Sequence, residues 1–266
     1  MAAINPSQLK MQCAEVSDQL AAPEQLIQKL HQLLDHYADR VRRPGKNNLA
    51  GALPSYQVPT PVLRALEREF RPQLERSPSQ GLQLVDALWQ EEWLETRVLA
   101  ASFLGAIPPI NAQPILDRLS SWVISPDSDG IRSAILRSSL ARVLDHDPEK
   151  TEQLFQNLLQ KPTPRSLQAV LFGLNYLADH DSYQNLPFIF QLLSSILEPD
   201  DQTYIKEIST LLRALIQRSE LEAFFFLKHQ LTTAGQPRIT RVVRAVLPSF
   251  SEHHRMELKR ILRDLT

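Results

Sequence analysis

The segment TYIKEISTLLRALIQRSELEAFFFLKHQLTTAGQPRITRVVRAVLPSF, residues 203–250, decides the fold class. Ile205, Ile208, Leu212 and Leu215 recur at helical spacing, and so do Ile239, Val242, Val243, Val246 and Phe250. Such spacing places each set on one face of a helix. Between them lies Thr233-Ala234-Gly235-Gln236-Pro237, a break carried by Gly and Pro.

The same alternation of stripe and break extends upstream. Leu167, Val170, Leu171 and Leu174 form another stripe. Helical stretches from Leu186, Thr151, Ile115 and Leu82 are interrupted in turn by Glu198-Pro199-Asp200-Asp201, Lys161-Pro162-Thr163-Pro164, Ser125-Pro126-Asp127 and the region Glu91 to Glu95. Each unit is roughly 30–35 residues long, within the range of helical repeats. No single pair of such helices buries its apolar face alone. Stacked neighbours do so, at roughly 1.5–3 kcal/mol per large side chain. The expected fold is therefore all-α, a right-handed HEAT-like helical-repeat solenoid over residues 46–266. A helical extension over residues 1–45 is expected to pack on it, with Leu26, Ile27, Leu30, Leu33, Leu34, Tyr37 and Val41 on one face. That helix ends in Arg40, Arg42 and Arg43 followed by Pro44-Gly45, cations at the negative helix end and then breakers. A short helix from about Arg255 to Leu265 is expected to cap the last repeat.

Composition narrows the function. Only 7 residues are Gly, whereas 19 are Pro. Few glycines argue against phosphate-cradling loops and tight hairpins, and the prolines fall between the periodic runs, where they stop helices. Cys13 is the single cysteine, so neither an intrachain disulfide nor a cysteine metal cluster is expected; it reads as a small apolar residue of an N-terminal helix. No H-E-x-x-H, G-x-x-x-x-G-K or G-x-S-x-G string occurs. No metal and no cofactor are expected. The N-terminus lacks the pattern of a secretory signal, and no apolar run approaches the ~20 residues of a membrane span. A cytoplasmic location with no membrane contact is the expectation.

Charge is segregated. The total is −1, yet residues 228–266 carry +5 and the rest −6. A patch of that kind contacts phosphates or forms a solvated helix face. A cation also recurs near the start of the second helices: Arg97, Arg132, Arg165, Lys206 and Arg238. Equivalent repeat positions line up along one surface, so these cations form either a row on that surface or a set of ties to loop acids and neighbouring helix ends.

The stretch from Tyr56 to Pro109 contains Val58, Pro61 with Leu63-Arg64, Leu88-Trp89, and Glu95-Thr96-Arg97 with Ala100. In order and spacing this resembles the bacterial AlkD-type DNA alkylation repair family. The segment Tyr204 to Leu231 is similar to that family's lysine-bearing helix ending in Leu-Arg. The likeness covers most of residues 50–250. It implies a superhelix of HEAT-like pairs whose concave face holds double-stranded DNA. It also implies excision of N3- and N7-alkylpurines, without metal or nucleotide cofactor. A cationic alkylated purine is a good leaving group. The resemblance therefore implies one carboxylate near the sugar, where positive charge develops, and aromatic rings against the lesion.

The family's constellation is an Asp preceded four residues earlier by a Trp, with a second Trp on a later helix. Anchored on Asp147-Pro148-Glu149, the resemblance places Asp129 at the first Trp position and Ser133 at the Asp position. Anchored on Leu212-Arg213, it places Thr210 at the later Trp position. The catalytic set is thus altered. A shifted register brings Asp127 or Asp129 into use beside Trp122, and Asp129 is the candidate catalytic carboxylate; capping within Pro-Asp-Ser-Asp-Gly is the other role open to both. Trp122, Trp89 and Trp93 read as packing residues. The candidate DNA contacts are Arg132, Arg165, Lys206, Arg213, Arg238 and Arg241. Two functions follow: a DNA-binding member of the family, either a divergent alkylpurine DNA glycosylase or a reader that has lost excision, or a HEAT-repeat scaffold for a protein partner.

Overall fold

A computed structural model of the chain describes residues 4–39, 53–125, 129–197, 203–234 and 237–264. The described residues are α-helical, with two short 3-10 turns and no strand. They group into two compact units, Met1–Thr151 and Glu152–Thr266.

The first unit contains α1 (Pro6–Ser17), α2 (Pro23–His36), α3 (Thr60–Arg76), α4 (Pro78–Gln90), α5 (Leu94–Ala106), α6 (Gln113–Trp122), α7 (Asp129–Ser139) and α8 (Ala141–His146). Helix α9 (Pro148–Gln160) begins here and continues into the second unit. The second unit adds α10 (Pro164–Asp179), α11 (Leu186–Leu197), α12 (Ile205–Arg218), α13 (Glu220–Ala234), α14 (Pro237–Val246) and α15 (Glu252–Asp264).

Proline has a more specific role than the breaker expected from sequence. Pro6, Pro23, Pro78, Pro148, Pro164 and Pro237 are the first residues of their helices. The first-turn N–H has no intrahelical acceptor, so its loss costs nothing there and the fixed φ suits the helix. Side-chain caps supplement this. Asn5 Oδ1 accepts from Ser7 N at 3.1 Å. Thr163 and Ser166 form a reciprocal capping box, Ser166 N donating to Thr163 Oγ1 at 3.1 Å and Thr163 N to Ser166 Oγ at 2.8 Å.

Within each unit the helices stack in two rows. In the first, α1, α3, α5 and α7 pack in succession. The other row runs from α2 to α4 and on to α6, where the Trp89 and Trp122 rings stack at 4.3 Å. In the second, α12 lies between α10 and α14, and α13 packs on α15. Phe190 of α11 meets Phe226 of α13 at 5.0 Å. Most described positions of the stripes read from the sequence are buried, including Ile208, Leu212 and Leu215 on α12 and Ile239, Val242, Val243 and Val246 on α14, while Ile27, Leu167 and Ile205 are half-buried and Val41 lies outside the described residues.

Close approach replaces side-chain volume at two points. A Cβ on Gly105 would fall 1.8 Å from the Ser138 carbonyl oxygen, so α5 and α7 touch backbone to backbone. Ser139 reinforces the contact by donating to Ala101 O at 2.7 Å. A Cβ on Gly173 would fall 2.1 Å from the Phe155 ring. The stretch from Ile115 to Pro148 holds a third, short helix, α8, beyond the expected pair. The basic turn Arg40–Arg43 and the breaks at Pro126-Asp127 and Pro199-Asp200-Asp201 lie outside the described residues.

Candidate nucleic-acid interface

The recurring cation of the sequence resolves into two structural classes. Arg132 is only 2% exposed, and its Nε donates to Val123 O at 2.9 Å, just past the end of α6. Arg238 is also 2% exposed; its guanidinium donates to Ile196 O at 2.8 Å, at the end of α11, and to Thr203 O at 3.0 Å. Arg97 follows the same logic. Its Nε donates to Glu91 O at 2.9 Å beyond α4, and its guanidinium lies 4.3 Å from the Trp89 ring centroid; burial lowers its pKa from the ordinary arginine range. The last carbonyls of a helix lack intrahelical donors and carry the negative end of its dipole, so a guanidinium fork is a suitable cap. Arg132 and Arg238 therefore do not present their charge at the surface as the row of DNA contacts required. The helix-end tie is the role these two residues fill.

The other expected residues are exposed. Arg165 lies in the first turn of α10, Lys206 and Arg213 on α12, and Arg241 on α14. On α12, Lys206, Thr210, Arg213 and Gln217 form one exposed stripe between buried positions. On the adjacent α14, Pro237, Arg241 and Arg244 repeat the spacing, continued by Pro248. The stripes carry four cations and no acid. Arg213 connects the two helices by donating to Ala245 O at 3.3 Å. Arg244, absent from the sequence-derived set, belongs to the same face. Its signal was available in the three-residue step from Arg241 across the apolar pair Val242-Val243.

Thr210 sits in the middle of this stripe, its hydroxyl donating back to Lys206 O at 2.9 Å. Ser133 is half-buried on α7. Asp129 opens α7, while its side chain, and all of Asp127, lie outside the described residues.

The motif that carried the resemblance forms a clamp in the first unit. Glu95, 4% exposed at the start of α5, accepts from Ser55 Oγ at 2.8 Å, Tyr56 N at 3.2 Å and Val58 N at 3.4 Å. Tyr56 stacks on Trp93 at 4.0 Å and shares a 2.9 Å hydrogen bond with His31 Nδ1. Burial first, then the Asp35, Glu95 and Glu91 carboxylates, push the Tyr56 phenol above its usual range. This cluster ties residues 55–58 to α5. Gln57 passes through the left-handed region there, at φ 56°.

Among the described residues no group of three His, Cys, Asp or Glu could hold a metal ion, and no helix is long and apolar enough to cross a membrane. The molecule is thus an all-α helical-repeat protein with an acid-free cationic stripe on adjacent helices. Residues 29–241 match the family model described as DNA alkylation repair enzyme, and the chain belongs to that family. No curated protein and no solved structure matches the chain.

Proposed function

We propose that this chain is a HEAT-like DNA-binding member of its family, a reader of double-stranded DNA rather than a glycosylase of the family's usual kind. The observation that carries the reading is the α12–α14 stripe. Lys206, Arg213 and Arg241 project from neighbouring helices without an intervening acid, and Arg165 lies in the first turn of the next helix in the row. Lys and Arg held at such spacing neutralise successive phosphates and release counterions. The family membership supplies the polyanion: DNA. Base excision needs a carboxylate beside the sugar, and the matching position is Ser133, while Thr210 stands where the second aromatic ring is expected. Serine offers no negative charge, and threonine has no π face for a cationic base.

The test is fluorescence anisotropy with a 20-base-pair duplex between 50 and 300 mM salt. Three to four phosphate contacts give a slope of log affinity against log salt of about −3, at roughly −0.9 per contact. The double variant Arg213→Glu/Arg241→Glu should weaken binding at least tenfold and flatten that slope. Unchanged affinity in a folded double variant would remove this face from the reading.

A further inference from the structure

Helix α15 is held in a fixed place on α13. Ser251, just before α15, donates to Glu220 Oε1 from its amide at 2.9 Å and from its hydroxyl at 2.6 Å. Lys228 Nζ donates to Glu257 Oε1 at 2.6 Å, and Leu258 and Leu262 are buried. Between α15 and the end of α14 lies a concavity of about 480 Å³, lined by Arg244, Leu247, Met256, Lys259, Leu262 and Arg263. Leu247 and Leu262 are already buried in the core, so the surface offered to a visitor is three cations and the exposed Met256. No carboxylate lines it. Glu257, the one acid between Met256 and Arg263, is engaged by Lys228, and Glu252 and Asp264 lie at the two ends of the helix. Among the described residues none forms an ion pair with Arg244, Lys259 or Arg263. Like charges that converge without a counter-charge repel one another, and an anion between them removes that cost.

Arg244 identifies the anion. It is an exposed cation of the α14 stripe, three residues beyond Arg241, and it also lines the concavity. The α12–α14 face and the concavity are therefore one continuous surface. We infer, on the reading of this chain as a binder of double-stranded DNA, that the sugar–phosphate backbone continues past α14 onto α15, where Lys259 and Arg263 hold further phosphates. These two residues are four positions apart, about 6 Å along the helix axis. The arginine supplies a planar fork for phosphate oxygens and the lysine a point charge. Arg244, Lys259 and Arg263 lie beyond the matched residues 29–241, so family membership assigns them no role.

Met256 stands among the three cations, so its methyl group reports what enters. With methyl-labelled methionine in the full chain, a 20-base-pair duplex should shift the Met256 signal, with Met11 on α1 of the other unit as the reference. Lys259 and Arg263 add two phosphate contacts to those of α12 and α14. At roughly −0.9 per contact, the wild-type slope of log affinity against log salt steepens from about −3 to about −5. Lys259→Gln/Arg263→Gln should return the slope to about −3 and weaken duplex binding by about tenfold or more at 100 mM salt, with far-UV circular dichroism unchanged. Glutamine removes the attraction without adding repulsion. Duplex binding that falls in Arg213→Glu/Arg241→Glu but keeps its affinity and slope in Lys259→Gln/Arg263→Gln would overturn the α15 contact and leave the α12–α14 face standing. So would duplex binding that leaves Met256 unmoved, or a Met256 shift produced by an acidic peptide and not by the duplex. No duplex binding by the wild type would overturn both.

Discussion

Glu95 and Ser55, forty residues apart, are joined by a 2.8 Å hydrogen bond in which the serine hydroxyl donates to a carboxylate that is 4% exposed. The same carboxylate collects the Tyr56 and Val58 amides, so one side chain fixes the path of the loop entering α3. Glu95→Gln keeps the shape but turns an amide donor toward a backbone donor. An unsatisfied buried donor costs about 1–3 kcal/mol, and urea unfolding of the variant should show a loss in that range. A change below a few tenths would mean that the loop finds other acceptors.

Glycine substitutions should separate two kinds of contact. At Gly105 an added methyl meets the Ser138 backbone at 1.8 Å, whereas at Gly81 it meets the Leu74 Cδ2 end at 3.0 Å. Backbone cannot step aside as a side chain can. Gly105→Ala should therefore cost about 3 kcal/mol or more. Gly81→Ala should be within about 1 kcal/mol of neutral, because the alanine gain in helix propensity offsets a small shift of Leu74. Thermal unfolding of both variants decides the matter.

Glu220 provides a pH dependence with a defined sign. The Ser251 hydroxyl, then the His254 ring, then the Ser251 amide lower its pKa from 4.5 to about 2. A carboxyl depressed in the folded state stabilises the fold above its unfolded pKa, and that contribution is lost as pH falls through the folded value. The wild type should thus be progressively destabilised between about pH 4.5 and pH 2. Glu220→Gln should be less stable at neutral pH and show a shallower decline across that interval. Parallel curves for the two proteins would show that the Ser251 and His254 contacts do not hold the charge in solution.

The two classes of cation should respond differently to mutation. Arg238→Met leaves the Ile196 and Thr203 carbonyls without their donor, a loss of about 1–3 kcal/mol for each group left unsatisfied. DNA affinity measured below the melting transition should change less than twofold. Arg241→Glu should do the reverse, with stability within about 0.5 kcal/mol of wild type, as is usual for exposed positions, and several-fold weaker DNA binding.

Base release is the direct measure of surviving chemistry. In single turnover, with excess protein at low salt and one 7-methylguanine in a duplex, release should proceed at the spontaneous rate. Release above that rate that disappears in Asp129→Asn would reverse the reader assignment and make Asp129 the carboxylate.

The fold was legible because buried stripes obey a period. Every apolar position named on α10, α12 and α14 points inward or lies at the edge of the core. The site was only partly legible. Lys206, Arg213 and Arg241 are exposed as expected, but Arg132 and Arg238 look the same in sequence and lie at 2% exposure. The difference is one of helix phase. Arg238 precedes Ile239 on the inward face, while Arg241 falls two positions beyond it on the outward face. A long guanidinium tolerates either environment once carbonyls are within reach. The role of Glu95 was also hidden, because its partners at 55–58 belong to a loop whose path no periodicity specifies.

The division between inward and outward cations also bears on how such a surface diversifies. Arg132 and Arg238 answer to carbonyl geometry, so even lysine, with no planar fork, is a poor replacement there. Lys206, Thr210, Arg213 and Arg241 are exposed, and their internal ties are limited to the Thr210 hydroxyl on Lys206 O and the Arg213 guanidinium on Ala245 O. A combinatorial library confined to those four codons should retain foldedness in most of its clones while sampling new ligand preferences, and one extended to codons 132 and 238 should lose most of its soluble members.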